Sequence, residues 1–251
     1  MQYPHLKKPA ASQILGKGGF GIVYEGEHNN AKVAIKRMEL LRIEDDVRNS
    51  TEEERMMRCD HSNVLKVFAV DQDGDFKKYT VSTMPSELGA LHQMACGLQH
   101  IHTVAGLVHR DISVQNVLIQ ISREGFPTVL KISDFGFCKP ATERGSFSIS
   151  KRGTGTIYFI APELLTDDKK RGTNACDVFS LGCVFYRFLT MGGHPFSTGD
   201  NLAITSNIRA GKHNLNGLNE DHFAREIIKE MIQLEPSNRP NITAVVDRLS
   251  A

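Results

Sequence analysis

The run His109-Arg110-Asp111-Ile112-Ser113-Val114-Gln115-Asn116, followed further on by Asp134-Phe135-Gly136, constrains this chain more than any other feature. Each part abuts a short apolar segment of β-forming residues. Val117 to Ile121 follows the first run, and Val129 to Ser133 leads into the second. Two short strands therefore present a loop bearing an acid and an amide beside an acidic turn. In isolation, Asp111 reads as a turn residue and Asp134 as a strand-end cap. The meaning of the pair depends on the rest of the chain.

The patterning changes character near residue 85. Segment 13–37 reads as three short strands, with a glycine-rich first turn and His28-Asn29-Asn30 at the second. Glu44 to Cys59 reads as a helix with Met56 and Met57 on one face. Val64 to Val70 and Tyr79 to Met84 read as two further strands, separated by a turn in Asp71-Gln72-Asp73-Gly74-Asp75. Beyond Pro85, Leu88 to His102 has a helical period, as do 162–166, 175–190, 200–210, 221–234 and the tail Ile242 to Leu249. A small strand-rich lobe and a larger helical lobe, joined near residue 84, would leave a cleft for a ligand.

Composition narrows the class. Hydrophobic residues make up 40% and charged residues 24% of 251, enough for a sizeable core, and the net charge of +1 argues against binding nucleic acid or a membrane surface through bulk charge. The five cysteines are scattered with no CxxC pair, which fits reduced thiols in a cytoplasmic protein. The N-terminal Met1-Gln2-Tyr3-Pro4 stretch has no apolar signal region, and the most apolar helical stretch, Val178 to Leu189, is too short to span a bilayer.

Gly16, Gly18 and Gly21 form a glycine triplet with Val23 following on a strand, and Val33-Ala34-Ile35-Lys36 comes soon after. A dinucleotide-binding unit would continue into a helix, but β-formers follow here. Glycine without Cβ lets such a strand–turn–strand loop press backbone amides onto phosphates. Lys36 ends its apolar strand as a solvent-facing lysine or as a partner for phosphates, the latter if a carboxylate holds its ammonium. Glu52, Glu53 and Glu54 are on offer. Glu53 is favoured because Met56 and Met57, three and four residues on, share its face.

Taken together, the glycine loop, Val33-Ala34-Ile35-Lys36, the His109–Asn116 run, Asp134-Phe135-Gly136, Ala161-Pro162-Glu163, the stretch Asp177 to Gly182 and Arg239-Pro240 resemble the protein kinase superfamily across nearly the whole chain. The resemblance implies an α+β, two-lobed fold over 1–251, with a small lobe at about 10–84 (a five-stranded sheet and one helix) and a helical lobe at about 85–251. It implies that Asp111 orients the acceptor hydroxyl and takes its proton, and that Asn116 and Asp134 hold Mg²⁺ between the phosphates of ATP. It also implies that Lys36, held by Glu53, meets those phosphates, and that Gly16, Gly18, Gly21, Val23, Ala34, Thr83 and Met84 line the nucleotide site. Glu163 with Arg239 would form a buried ion pair, and Asp177 would brace the backbone of the catalytic loop.

The chain also departs from that pattern. Ser113 stands where most serine/threonine kinases carry a lysine, and only about 25 residues separate Ser82-Thr83-Met84 from His109, where the family has roughly 40. Thr156, before Ala161-Pro162-Glu163, matches the serine/threonine rather than the tyrosine type. Stretches such as Cys59 to Phe68, Asp177 to Leu189, Gly192-Gly193-His194-Pro195-Phe196 and Met231 to Pro240 are most similar to the stress-sensor kinase/endoribonucleases of the endoplasmic reticulum. No nuclease part or transmembrane sensor is expected within these residues. The reading is an ATP-dependent serine/threonine kinase acting on protein substrates, with autophosphorylation or self-association. The alternatives are a pseudokinase or nucleotide-binding regulatory module, and a fragment of such a stress sensor lacking its nuclease and transmembrane parts. Ser146, Ser148, Ser150 and Thr154 are candidate phosphorylation sites, with Arg110, Lys139 and Arg152 as cationic partners.

Overall fold

Short runs of β-formers close the N-terminal segment into an antiparallel sheet of β1 (Ile14–Gly18), β2 (Gly21–His28) and β3 (Ala31–Arg37), in that order. Gly18 pairs with Gly21 and His28 with Ala31, so each turn leaves two residues between strand ends. The computed structural model describes residues 14–18, 21–28, 31–37, 55, 58–65, 85–120, 128–141, 156–165 and 173–250. Most of the expected helix 44–59 and all but Val64 and Leu65 of the two further expected strands lie outside these residues.

The helical part begins at α1 (Glu87–Thr103). Ser86 caps it: its hydroxyl oxygen accepts from Gly89 N–H at 3.1 Å, and Glu87 adds a negative charge to the first turn. Ala90, Leu91, Met94, Leu98 and Ile101 recur at helical spacing and are all buried. This face packs on α5 (Ile242–Ser250) and on β6 (Val129–Ile132), which pairs antiparallel with β5 (Val117–Gln120). A second ribbon, unforeseen in the sequence, joins β4 (Leu107–Val108) to β7 (Lys139–Pro140). Only two residues long on each side, it has no period for a sequence to display.

At the centre lies α2 (Asn174–Leu189), buried at every residue from Cys176 to Tyr186. A helix apolar all round must be covered all round, and α1 and α4 (Arg225–Met231) do part of this. Among the described residues no helix is long and apolar enough to cross a membrane. Of the expected helix over 162–166, the described residues 162–165 form a single 3₁₀ turn, Pro162–Leu164, because Pro162 starts it and its carbonyl already accepts from Leu165 N–H three residues on. Residue 166 lies outside the described residues. The pattern over 200–210 divides into a 3₁₀ turn, Asn201–Ala203, and α3 (Ile204–Arg209). That over 221–234 contracts to α4, since the ring Nδ1 of His222 takes up Ala224 N–H ahead of the helix.

Segment 58–65 is fastened to this part of the molecule. Leu65 N–H donates to Ile132 O, Ile132 N–H donates to Asn63 O, and the Asn63 side-chain amide donates to Leu130 O at 3.0 Å. Gly97 on α1 makes the approach feasible, since a Cβ there would lie 2.5 Å from the Asn63 carbonyl oxygen. Gly97→Ala raises helix propensity by about 1 kcal/mol, but the obstacle is backbone that β6 holds in place, so overpacking of about 1–3 kcal/mol wins. Thermal denaturation should show a lowered melting temperature. A rise would mean that segment 58–65 yields without cost.

Candidate active site

The loop after β4 carries Asp111 and Asn116, and its shape is imposed by one side chain of α2. Asp177, 1% exposed, accepts from His109 N–H through Oδ2 and from Arg110 N–H through Oδ1, each at 2.7 Å. His102 Nε2 on α1 lies 2.9 Å from the same Oδ2 and donates to it. Burial pushes the Asp177 carboxyl upward, but the His102 hydrogen bond, the nearby imidazoles and the Arg110 amide outweigh it and hold its pKa below the ordinary value. Arg110 sits at φ 68°, the left-handed region that non-glycine residues avoid. The Asp177 bond to its amide holds it there.

The His109 imidazole joins this loop to the second acidic segment. Its Nδ1 accepts from Asp111 N–H at 3.3 Å, and its Nε2 donates to Ser133 O at 3.1 Å. The ring meets Phe135 edge-on, with centroids 5.1 Å apart. Burial pulls its pKa down, against the charges of Asp177 and Asp134, so the ring is neutral with its proton on Nε2. Asn116 makes the second link. Its side-chain Nδ2 donates to Asp111 O at 2.7 Å and to Asp111 Oδ2 at 2.9 Å, while its backbone carbonyl accepts from Ser133 N–H at 2.8 Å. With Nδ2 turned to Asp111, its Oδ1 is the end left for a cation. Asp134 follows at φ 65° and is only half-buried. One amide oxygen and one carboxylate suit Mg²⁺, which takes few protein ligands and fills its octahedron with water and phosphate oxygens.

Asp111, Asn116 and Asp134 are thus brought together through hydrogen-bonded neighbours. In the N-terminal sheet, Val23 pairs with both Gly16 and Lys36, placing these three in one cross-strand row, and Ala34 pairs with Glu25. Gly18 and Gly21 face each other across the first turn. Glu53, Thr83 and Met84 lie outside the described residues, as do Ser146, Ser148, Ser150, Arg152 and Thr154. Ser113 is fully buried, so the departure from lysine places a small side chain inside the packing of the loop.

The expected pair of Glu163 and Arg239 is bidentate, with both nitrogen–oxygen distances 2.8 Å. The remaining guanidinium donors go to the carbonyls of Gln233, Leu234 and Ala175, so every N–H is used, and the group lies over the Phe179 ring. Sequence reasoning missed His102, Ser133 and Ser180 as supports, because each acts on a residue far along the chain with no local pattern to mark it.

Two buried histidines, His109 and His194, have pKa values pulled below that of free imidazole, the latter to about 4. Between the folded and unfolded values the unfolded chain binds more protons, so stability rises with pH there. The stability that the neutral His194 ring preserves is then full above pH ~6.5 and falls off as pH drops toward 4. His109 acts in the same direction. Urea-unfolding midpoints measured across that range should fall steadily on acidification. A flat profile would contradict the neutral state of both rings.

The sequence profile described as protein tyrosine and serine/threonine kinase matches residues 10–249. The chain is similar to the serine/threonine-protein kinase/endoribonuclease IRE1 of Hypocrea jecorina, at 31% identity over 92% of this chain and 23% of that protein. It is similar to the serine/threonine-protein kinase/endoribonuclease IRE2 of Homo sapiens, at 33% over 93% of this chain and 27% of that one. It is also similar to the serine/threonine-protein kinase Nek5 of Mus musculus, at 26% over 94% of this chain and 39% of that one. The chain therefore spans from about a quarter to two-fifths of these relatives. The first two alignments, 292 and 264 residues, run longer than the chain's own 251, so those relatives carry residues that it lacks.

Proposed function

This chain belongs to the protein tyrosine and serine/threonine kinase family, and from that premise we propose that it transfers the γ-phosphate of Mg-ATP to serine or threonine hydroxyls of proteins, itself included. The carrying observation is the position of Asn116, hydrogen-bonded on one side to Asp111 and on the other to Ser133, the residue before Asp134. An acceptor-orienting carboxylate and a cation-binding pair are thereby held at fixed separation, and phosphoryl transfer needs alignment and charge neutralisation more than covalent help. The proposed domain arrangement is a small lobe at about 10–84 and a large one at about 85–251.

Each residue then has a task. Asp111 orients the acceptor hydroxyl and takes its proton, and Asn116 Oδ1 with Asp134 would hold Mg²⁺, which neutralises phosphate charge when bound. Lys36, braced by Glu53, meets the α- and β-phosphates. The backbone around Gly16, Gly18 and Gly21 covers them. Val23, Ala34, Thr83 and Met84 enclose the base. Thr156 favours serine or threonine as acceptor. A pseudokinase is the rival reading, favoured by Ser113 and by the residues that the relatives carry and this chain lacks. A stress-sensor nuclease activity would need sequence beyond these residues.

A thermal shift with Mg-ATP tests the nucleotide site on which the kinase reading depends, and phosphorylation itself separates that reading from a pseudokinase. At about 100 times its dissociation constant the nucleotide should stabilise the protein by about 2.7 kcal/mol, and Asp134→Asn should weaken that shift. Its absence in a folded sample would sink the nucleotide site. Asp111→Asn should lower phosphorylation about 10²- to 10⁴-fold. Its stability should hardly change, since the new amide oxygen can still accept from Asn116 Nδ2. Full activity in this variant would remove Asp111 from its assigned role.

A further inference from the structure

The motif Gly192-Gly193-His194-Pro195-Phe196 has no task in the reading above, yet its histidine is built into the molecule with care for both ring nitrogens. His194 is 7% exposed. Its Nε2 donates to Tyr158 O at 2.9 Å, and its Nδ1 accepts from Phe196 N–H at 3.2 Å. An imidazole that donates at one nitrogen and accepts at the other is neutral. Burial, opposed by the Tyr158 hydrogen bond and aided by the Arg187 charge, keeps it so by lowering the pKa to about 4. The ring also stands edge-on to Phe159, with centroids 5.6 Å apart.

The mount of this ring is rigid. Ser197 N–H donates to His194 O, Asn214 N–H to Pro195 O at 2.7 Å, and Asn207 Nδ2 of α3 to Phe196 O at 2.9 Å. Phe196 itself stacks on Phe179 of α2. The next carbonyl along the turn, that of Phe159, accepts from Ser180 Oγ at 2.6 Å. Two consecutive carbonyls of Thr156–Phe159 are therefore held from outside the turn, by a loop and by α2. Buried groups thus grip the backbone of a turn that begins at Thr156, buries Phe159 and leaves Ile157 and Tyr158 partly exposed.

We propose that His194 is a positioning residue for the acceptor protein: by fixing the Tyr158 carbonyl it holds the Thr156–Phe159 turn in the shape against which the acceptor chain lies. The inference rests on the kinase reading above, since only that reading assigns Thr156 to the acceptor.

Two amide replacements separate the two bonds of the ring. His194→Gln can keep the distal donor to Tyr158 O, whereas His194→Asn can keep only the proximal acceptor for Phe196 N–H. With dephosphorylated casein as acceptor, His194→Asn should raise the KM for casein about tenfold while kcat and the KM for Mg-ATP stay within about twofold, the pattern of lost uniform binding. His194→Gln should stay near the parent chain. Amide hydrogen exchange, which needs no catalysis, should quicken at 158–160 in His194→Asn but not in His194→Gln, with 109–116 unchanged in both. Equal behaviour of the two variants in exchange and in casein KM would overturn the proposal, as would an Asn variant whose kcat and Mg-ATP KM shift together with the casein KM. If the parent chain labels neither casein nor itself while the exchange contrast holds, the kinase reading has failed. The acceptor role then falls with it, and the carbonyl contact alone survives.

Discussion

Asp177 is a carboxylate taken almost wholly out of water in the first turn of a largely apolar helix. Removing such an ion from water costs several kcal/mol unless hydrogen bonds replace its hydration. Two backbone amides and one imidazole do so here. Bonds to a charged acceptor contribute roughly 1.5–3 kcal/mol each, so the charge is tolerated only while the loop His109–Arg110 keeps its shape. That dependence runs both ways. The loop needs the carboxylate to hold Arg110 in the left-handed region, and the carboxylate needs the loop's amides. From this contact the order spreads outward: His109 is aimed at Ser133, Asp111 is held under His109 Nδ1, and Asn116 closes the ring.

The helix α2 is the common anchor of several remote segments. Besides Asp177 it supplies Ser180 to the Phe159 carbonyl, Phe179 beneath the Arg239 guanidinium and beside Phe196, and the Ala175 carbonyl to Arg239. Arg239 in turn holds Glu163, and Arg209 of α3 reaches Leu165 O just beyond it. A buried ion pair of this kind adds little net stability against an apolar replacement, but removing one partner strands the other. Its effect here is placement, because it ties the Pro162–Leu164 turn to the segment before α5. A helix covered on every side can act as such an anchor since it has no solvent face along which to shift.

Much of the candidate site was legible because its residues lie close together in sequence. Asp111 and Asn116 share one short loop, Asp134 ends a recognisable strand, and the buried partnership of Glu163 and Arg239 was expected from their motifs. Helices α1, α2 and α5 were legible from their apolar period. The 3₁₀ turns were read as helix because their apolar spacing imitates one over so few residues. The β4–β7 ribbon was missed for the opposite reason, being too short to have a period. Ser113 read as a departure that weakened the kinase interpretation, and the fold gives the same residue a buried position within the loop.

What the sequence determined by itself is the set of chemical groups and their order: two acids and an amide in neighbouring segments, a glycine turn, a strand lysine, and the apolar periods that demand a core. Local patterns are sufficient for these because propensity and periodicity act over one or two turns of chain. Only the tertiary structure decided how those groups are aimed. The contacts of His102 with Asp177, Ser180 with Phe159, His194 with Tyr158 and Gly97 with Asn63 join residues distant along the chain. Each is a hydrogen bond or a steric limit that exists only once the helices have packed, and nothing local in the sequence marks which polar side chain will meet which carbonyl.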